Sequence, residues 1–203
     1  MAVSETQTSY YDNGQVKEVC VLKEGLLDGE AVSYTEAGVI KQRACFKDGV
    51  LSGDTIIYDE KGLMAQKMSF RDGLLDGDMI VYAEGKAQIV ISHRDGLPDG
   101  DSTTYDENGN VIQTALYRKG KLEGTSVWYD ASGALLKKAQ FRDGKLEGVV
   151  ITYYPNGRVQ TALQYKANKQ HGEMVGYSPE GKVMQRGYFK DGEPAPFPTL
   201  QQA

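Results

Sequence analysis

Two histidines, His93 and His171, and two cysteines, Cys20 and Cys45, are the only imidazoles and thiols in 203 residues. These groups supply most zinc ligands and many activated bases and nucleophiles, so chemistry of that kind would have to draw on these four. Their spacing does not suit it: no two are near neighbours, whereas Cys/His zinc sites bring ligands in close pairs. No nucleophile-elbow sequence, P-loop or GxGxxG opening a helix is present. The acidic turns Asp76-Gly-Asp78, Asp99-Gly-Asp101 and Asp106-Glu-Asn-Gly-Asn110 gather oxygens of the kind calcium takes, but they lack the alternating ligands and terminal Glu of an EF-hand loop. Asp before Gly is ordinary turn chemistry. No catalytic, metal or cofactor-binding residue is therefore expected. The chemistry left is that of binding: Ile57, Val81 and the only tryptophan, Trp128, stand at one recurring position and are the residues expected to meet a partner.

That position recurs because the chain does. Tyrosine returns at Tyr10, Tyr34, Tyr58, Tyr82, Tyr105, Tyr129, Tyr153 and Tyr177, a period of 24 residues with one interval of 23. A fixed period of this length marks one small unit copied about eight times. Glycine keeps the same beat in three series, four, fifteen and nineteen residues after each Tyr, which take up 22 of the 24 glycines and leave out only Gly176 and Gly187. Glycine is thus turn punctuation, supplying positive φ angles. Asn168 fills the one gap in the second series, and Asn tolerates the same conformation. Gly85 arrives one residue early, which locates the single deletion. The histidines fit the pattern too: His93 takes an aromatic slot and His171 an acidic turn slot.

Between the glycines apolar residues alternate. Val16, Ile40 and Met64 follow Tyr by six residues, Leu22, Phe46 and Phe70 by twelve, and Val32, Ile56 and Ile80 precede the next Tyr by two. Alternation predicts strands, two per unit, and no stretch shows a helical period. The expected fold is all-β: an elongated single antiparallel sheet of about eight 24-residue hairpin repeats, with contacts between neighbours only. At about 4.8 Å per strand the array would run roughly 70 to 80 Å. Because these offsets from Tyr are even, they are expected to share one face, which forms the core; Cys20 would lie on it and Cys45 on the other face, away from disulfide partnership. Ile57, Val81 and Trp128, at an odd offset, would line the opposite, exposed face.

No linker interrupts the array, which is expected over residues 10–193, with an N-terminal segment over 1–9 and a Pro-rich tail over 194–203. The opening MAVSETQTSY has neither a basic nor an apolar signal region, and no stretch of 18 apolar residues occurs, so a cytoplasmic location is expected. The net charge is −5, divided into −8 over residues 1–104 (10 basic, 18 acidic) and +3 over 105–203 (13 basic, 10 acidic). An acidic balance argues against nucleic acid and anionic membrane as partners.

Units such as Tyr153-Tyr-Pro-Asn-Gly157 and Phe141-Arg-Asp-Gly-Lys-Leu-Glu-Gly148 resemble the variant MORN repeat, in the form found in YwqK-type bacterial antitoxin proteins. The likeness covers about residues 10–193, with Asn168 for Gly, Pro98 and Gln170 for the turn Leu, and the deletion before Gly85 as departures. It implies hairpin repeats and a non-enzymatic protein-binding module, in that grouping an antitoxin or immunity protein that neutralises a toxin or effector by binding it. The alternative it implies is a lipid- or membrane-associated scaffold.

Overall fold

The computed structural model describes residues 3–198, and the rest of the tail expected over 194–203 lies outside the described residues. The described chain is all-β, without helix. Its strands are β1 (Ser4–Tyr10), β2 (Val16–Lys23), β3 (Leu26–Tyr34), β4 (Ile40–Lys47), β5 (Val50–Tyr58), β6 (Met64–Arg71), β7 (Leu74–Ala83), β8 (Lys86–Arg94), β9 (Leu97–Tyr105), β10 (Val111–Arg118), β11 (Lys121–Tyr129), β12 (Leu135–Arg142), β13 (Lys145–Tyr153), β14 (Val159–Lys166), β15 (Lys169–Tyr177), β16 (Val183–Lys190) and β17 (Glu193–Pro194). Successive strands pair antiparallel from β1 through β8 and again from β10 through β17. Residues 4–9, set apart in the sequence by their lack of pattern, form most of β1 and pair with β2. Likewise Glu193–Pro194 pairs with β16, and Phe197 lies against Tyr188, ring centroids 5.9 Å apart. Contacts cluster in two compact units. Unit 1 ends at Gly100 and includes Glu107–Gly109; unit 2 holds Asp101–Asp106 and everything from Asn110 onward.

Two turns alternate, and the residues dictate both. Lys47 pairs with Val50 across Asp48 (φ 48°) and Gly49 (φ 81°), a two-residue loop with both residues left-handed, whose twist matches that of the strands it joins. Asn168 takes the same role at φ 71°. The second turn follows the repeat tyrosine. Asp59 N–H donates to Leu63 O (2.8 Å), Gly62 N–H donates to Asp59 O (3.0 Å), and the Asp59 carboxylate accepts from Lys61 and Leu63 N–H, both at 2.9 Å. Where the deletion falls, this longer turn shortens to the two-residue form, Ala83 pairing with Lys86 around Glu84 and Gly85. The 22 glycines of the three series all have positive φ, and Gly176 and Gly187 do not.

The structure corrects the expected division of faces. A two-residue loop pairs residue i with i+3, so an even position faces an odd one, and the parity that ran along one strand is reversed in the next. The even-offset Ala44 therefore pairs with Thr55, and Thr55 with Met68. A bulge at the far end, where Ser33 pairs with Gln42 but Tyr34 with Ile40, restores the count. The result is two mixed faces. One carries Cys20, Ala31, Ala44 and Thr55 in unit 1 and Ser126, Ala139 and Val150 in unit 2, a ladder of small side chains buried along the middle of the sheet with the Phe46 and Phe141 rows beside it. The other carries the repeat tyrosines, Val32, Ile56 and the cations Arg43 and Lys67. Within β5 a second irregularity sets Ser52, Gly53 and Asp54 opposite Cys45. Gly53, at φ 101°, is required there: a Cβ on it would meet the Cys45 Cβ at 3.2 Å.

Candidate functional site

Ile57, Val81 and Trp128 do not lie on the face opposite the core. Parity reversal puts them on the ladder face, next to the buried row, and all three are half-buried. In unit 1 the structure brings two of them together: Gln66 pairs with Ile57 on one side and Val81 on the other, and Val81 in turn with Ile89. Trp128 belongs to unit 2, between Gln113 and Lys137, and the Lys137 ammonium sits 4.8 Å from its ring centroid. That cation–π contact covers the ring face.

The exposed apolar surface is elsewhere. Leu26, Val50, Leu74 and Leu97 each open the strand that follows a two-residue turn, and each is about half exposed, at 52%, 45%, 51% and 50%. They stand one per repeat. The glycines of successive turns hold them in line, since a Cβ on Gly49 would touch Leu26 (3.6 Å), on Gly73 Val50 (3.1 Å) and on Gly96 Leu74 (3.6 Å). These turns are also bonded to one another, Gly49 N–H donating to Leu27 O at 2.7 Å and Gly73 N–H to Leu51 O at 2.8 Å. The result is an aliphatic ridge along one edge of unit 1. Its signal was present as the first Leu of the Asp-Gly-Leu-Leu-Asp-Gly turns. It was missed because a residue beside a turn glycine reads as punctuation, and only the register shows that its side chain stands in a file with its counterparts.

The tyrosine face of unit 1 is polar and paired. Arg43 reaches Glu30 (3.2 Å), and that hydrogen bond raises its pKa. Lys67 reaches Asp54 (2.8 Å), to which Ser69 also donates (2.8 Å); the Lys67 bond first, and then Ser69, hold the Asp54 carboxyl below the usual carboxylate range. These groups are spent on one another.

The residues with catalytic or ligand chemistry do not converge. His93 Nδ1 lies 3.0 Å from Ile91 O within its own strand, and His171 Nδ1 lies 3.2 Å from Asp191 Oδ1 in the next turn. Asp106 Oδ1 accepts Asn110 N–H at 2.8 Å and closes its turn. Cys20 and Cys45 are both free and occupy opposite faces, and burial pushes the Cys20 thiol pKa up. Among the described residues no three of His, Cys, Asp and Glu gather where they could hold a metal ion, and no helix is long and apolar enough to cross a membrane. The depressions are open ones, such as that of about 450 Å³ lined by Asn110, Val111, Thr114, Tyr129, Ser132 and Gly133, which presents no acid–base pair.

Hairpins in register, punctuated by left-handed turns, with an aliphatic ridge left exposed on unit 1, suggest a repeat-based binding module. The chain belongs to the MORN repeat variant family, whose model matches residues 6–23, 27–48, 98–119, 122–143, 146–167 and 170–191, more than half of its length. Repeats of this family act as interaction modules. No curated protein matches the chain. Among solved structures it is similar to part of the GtfA/B complex bound to UDP and GlcNAc, with 11% identity, a TM-score of 0.26, and coverage of 55% of this chain and 22% of that one. It is also similar to part of the TcdB2-TccC3-Cdc42 structure, with 13% identity, a TM-score of 0.26, and coverage of 94% of this chain and 13% of that one. The chain thus spans less than a quarter of either structure it overlaps.

Proposed function

We propose that the protein is a non-enzymatic binding protein that acts by covering a surface of a protein partner, and that the partner is a toxin or effector, as the likeness to YwqK-type antitoxins implies. The observation that carries the binding reading is the ridge of Leu26, Val50, Leu74 and Leu97, four large aliphatic side chains half in water on a sheet that gains nothing from their exposure. A rigid, regularly spaced apolar file gives a partner a preformed surface with little ordering to pay for. Acidic turn residues, Glu24, Asp48, Asp72 and Asp95, border the ridge on the turn side and Lys23, Lys47 and Arg71 pair with it across the hairpin, so its rim carries both signs of charge and suits a partner with an apolar strip and a mixed polar rim.

The test is neutralisation by the ridge. Co-expression with the toxin partner should protect the host cell, and Leu74→Asp should weaken the complex at least about tenfold, roughly 1.4 kcal/mol, while leaving the fold intact because the side chain is exposed. Ile57→Asp and Trp128→Ala probe the ladder face in the same assay. If the affinity ignores Leu74→Asp but falls with Ile57→Asp, binding uses the ladder face. Affinity indifferent to all three variants removes both surfaces.

A further inference from the structure

The position that carries the aliphatic ridge in unit 1 changes its chemistry in unit 2. Where unit 1 has Leu26, Val50 and Leu74, unit 2 has Lys121, Lys145 and Lys169, all exposed. Across the hairpin from this position every repeat carries a cation. In unit 1 the cross-strand pairs are therefore Lys23 with Leu26, Lys47 with Val50 and Arg71 with Leu74. In unit 2 they are Arg118 with Lys121, Arg142 with Lys145 and Lys166 with Lys169, and only the last turn has an opposite-charge pair, Lys190 with Glu193. Like charges directly opposite on a sheet repel, and unit 1 shows that the fold accepts an uncharged residue here. Three such pairs in file are therefore a cost that folding does not ask for.

Few of the nearby carboxylates form ion pairs with these cations. Glu123 Oε2 accepts the N–H of Asp143 (3.1 Å), and Glu147 Oε2 accepts that of Ala167 (2.9 Å), each committed to the next turn. Asp191 faces His171. Among the described residues, Lys121 alone of the six cations has an ion pair, with Asp143 at 3.5 Å, both groups well exposed. The three cation pairs stand one per repeat, two strands apart, hence about 10 Å from one another.

That spacing favours a helical ligand over an extended strand. Same-side residues of an extended peptide recur at about 6.8 Å and 13.6 Å, and neither matches. In an α-helix the residue seven positions on returns to the same side after a rise of about 10.5 Å. We propose that the edge of unit 2 binds an acidic α-helix laid across the strands, whose Glu or Asp residues, one heptad apart, each meet one cation pair. This surface is separate from the aliphatic ridge and does not depend on it.

The probe is a synthetic alanine-based helix of about three heptads with glutamates at each heptad position and one turn further on, compared with a peptide of equal composition whose glutamates are spread around the helix. Single-stranded DNA and vesicles containing phosphatidylserine are the further arms. The heptad peptide should bind at least about tenfold tighter than its spread isomer, and the affinity should fall with salt. The triple variant K121Q/K145Q/K169Q should lose that binding by about tenfold or more while melting no earlier than the parent, because it removes repulsion. The corresponding triple Lys→Arg variant should keep it, which guards against a fold defect. Equal binding of the two peptides, no loss in the Gln variant, or DNA or vesicles bound as tightly as the heptad peptide would each overturn the proposal. Leu74→Asp should leave peptide binding unchanged, so failure here and failure of the toxin-binding reading are distinguishable.

Discussion

At the scale of single residues the most telling feature is what the buried ladder tolerates. Its most buried members are small, and the side chains beside them close over the middle of the sheet: Ala139 is fully buried, and Ser126 and Thr55 are 1% and 3% exposed. Yet the hydroxyls of Thr55 and Ser126 have no hydrogen-bond partner among the described residues. A buried hydroxyl left without a partner costs about 1–3 kcal/mol of desolvation. Alanine fills the same slot at Ala31 and valine at Val150, so the slot does not require a hydroxyl. Thr55→Val keeps the shape and removes the unsatisfied oxygen. It should raise the urea midpoint by the equivalent of about 1 kcal/mol with an unchanged m-value. A lower midpoint would mean that the hydroxyl has a partner.

At the scale of the element, the hairpin repeat was legible in the sequence, and its faces were not. Tyrosine and glycine periodicity marked the two strands of each repeat, the turn positions and the site of the deletion, because each turn conformation admits few residue types and so leaves a compositional mark. It did not mark β1 or β17 at the ends of the array. Asn168 and Gly85 were readable on the same ground. Side-chain direction depends on loop length and bulges, and a single added or lost residue reverses it. Ile57, Val81 and Trp128 were therefore placed on the wrong face, while Leu26, Val50, Leu74 and Leu97 passed as turn residues. Two further staples were hidden for another reason: they join residues nearly one period apart. Tyr11 OH donates to Tyr34 O at 2.6 Å, and Tyr154 OH to Tyr177 O at 2.8 Å, with Asn13 and Asn156 donating to Glu36 O (3.2 Å) and Pro179 O (2.9 Å) beside them. The doubled tyrosine of Tyr10-Tyr11 and Tyr153-Tyr154 marks these links. Tyr154→Phe keeps the ring and deletes one bond, so it should cost about 0.5–1.5 kcal/mol in thermal or urea unfolding. A loss below about 0.3 kcal/mol would show that the hydroxyl bond only decorates the turn.

At the scale of the whole molecule, the consequence of this architecture is locality. Among the described residues every pair of strands in substantial contact is a pair of chain neighbours, so stability is a sum of hairpin terms and nearest-neighbour terms with nothing that spans the chain. Contacts divide into two units whose charge differs in sign, and the two candidate surfaces divide the same way, aliphatic with acidic turns in unit 1 and basic in unit 2. A protein built so can lose one part and keep another, which a single cooperative core does not allow. The decisive measurement is native-state hydrogen exchange on Ala139→Asp. The substitution puts a carboxylate at a fully buried point of β12, where the Ser126 hydroxyl opposite can offset only part of its lost hydration, and should cost several kcal/mol locally. Amides of β11 to β14 should lose protection by that amount, while those of β3 to β6 in unit 1 should stay within about 0.5 kcal/mol of the parent. Uniform loss over both sets would mean that the array unfolds as one body, and the nearest-neighbour description would fall with it.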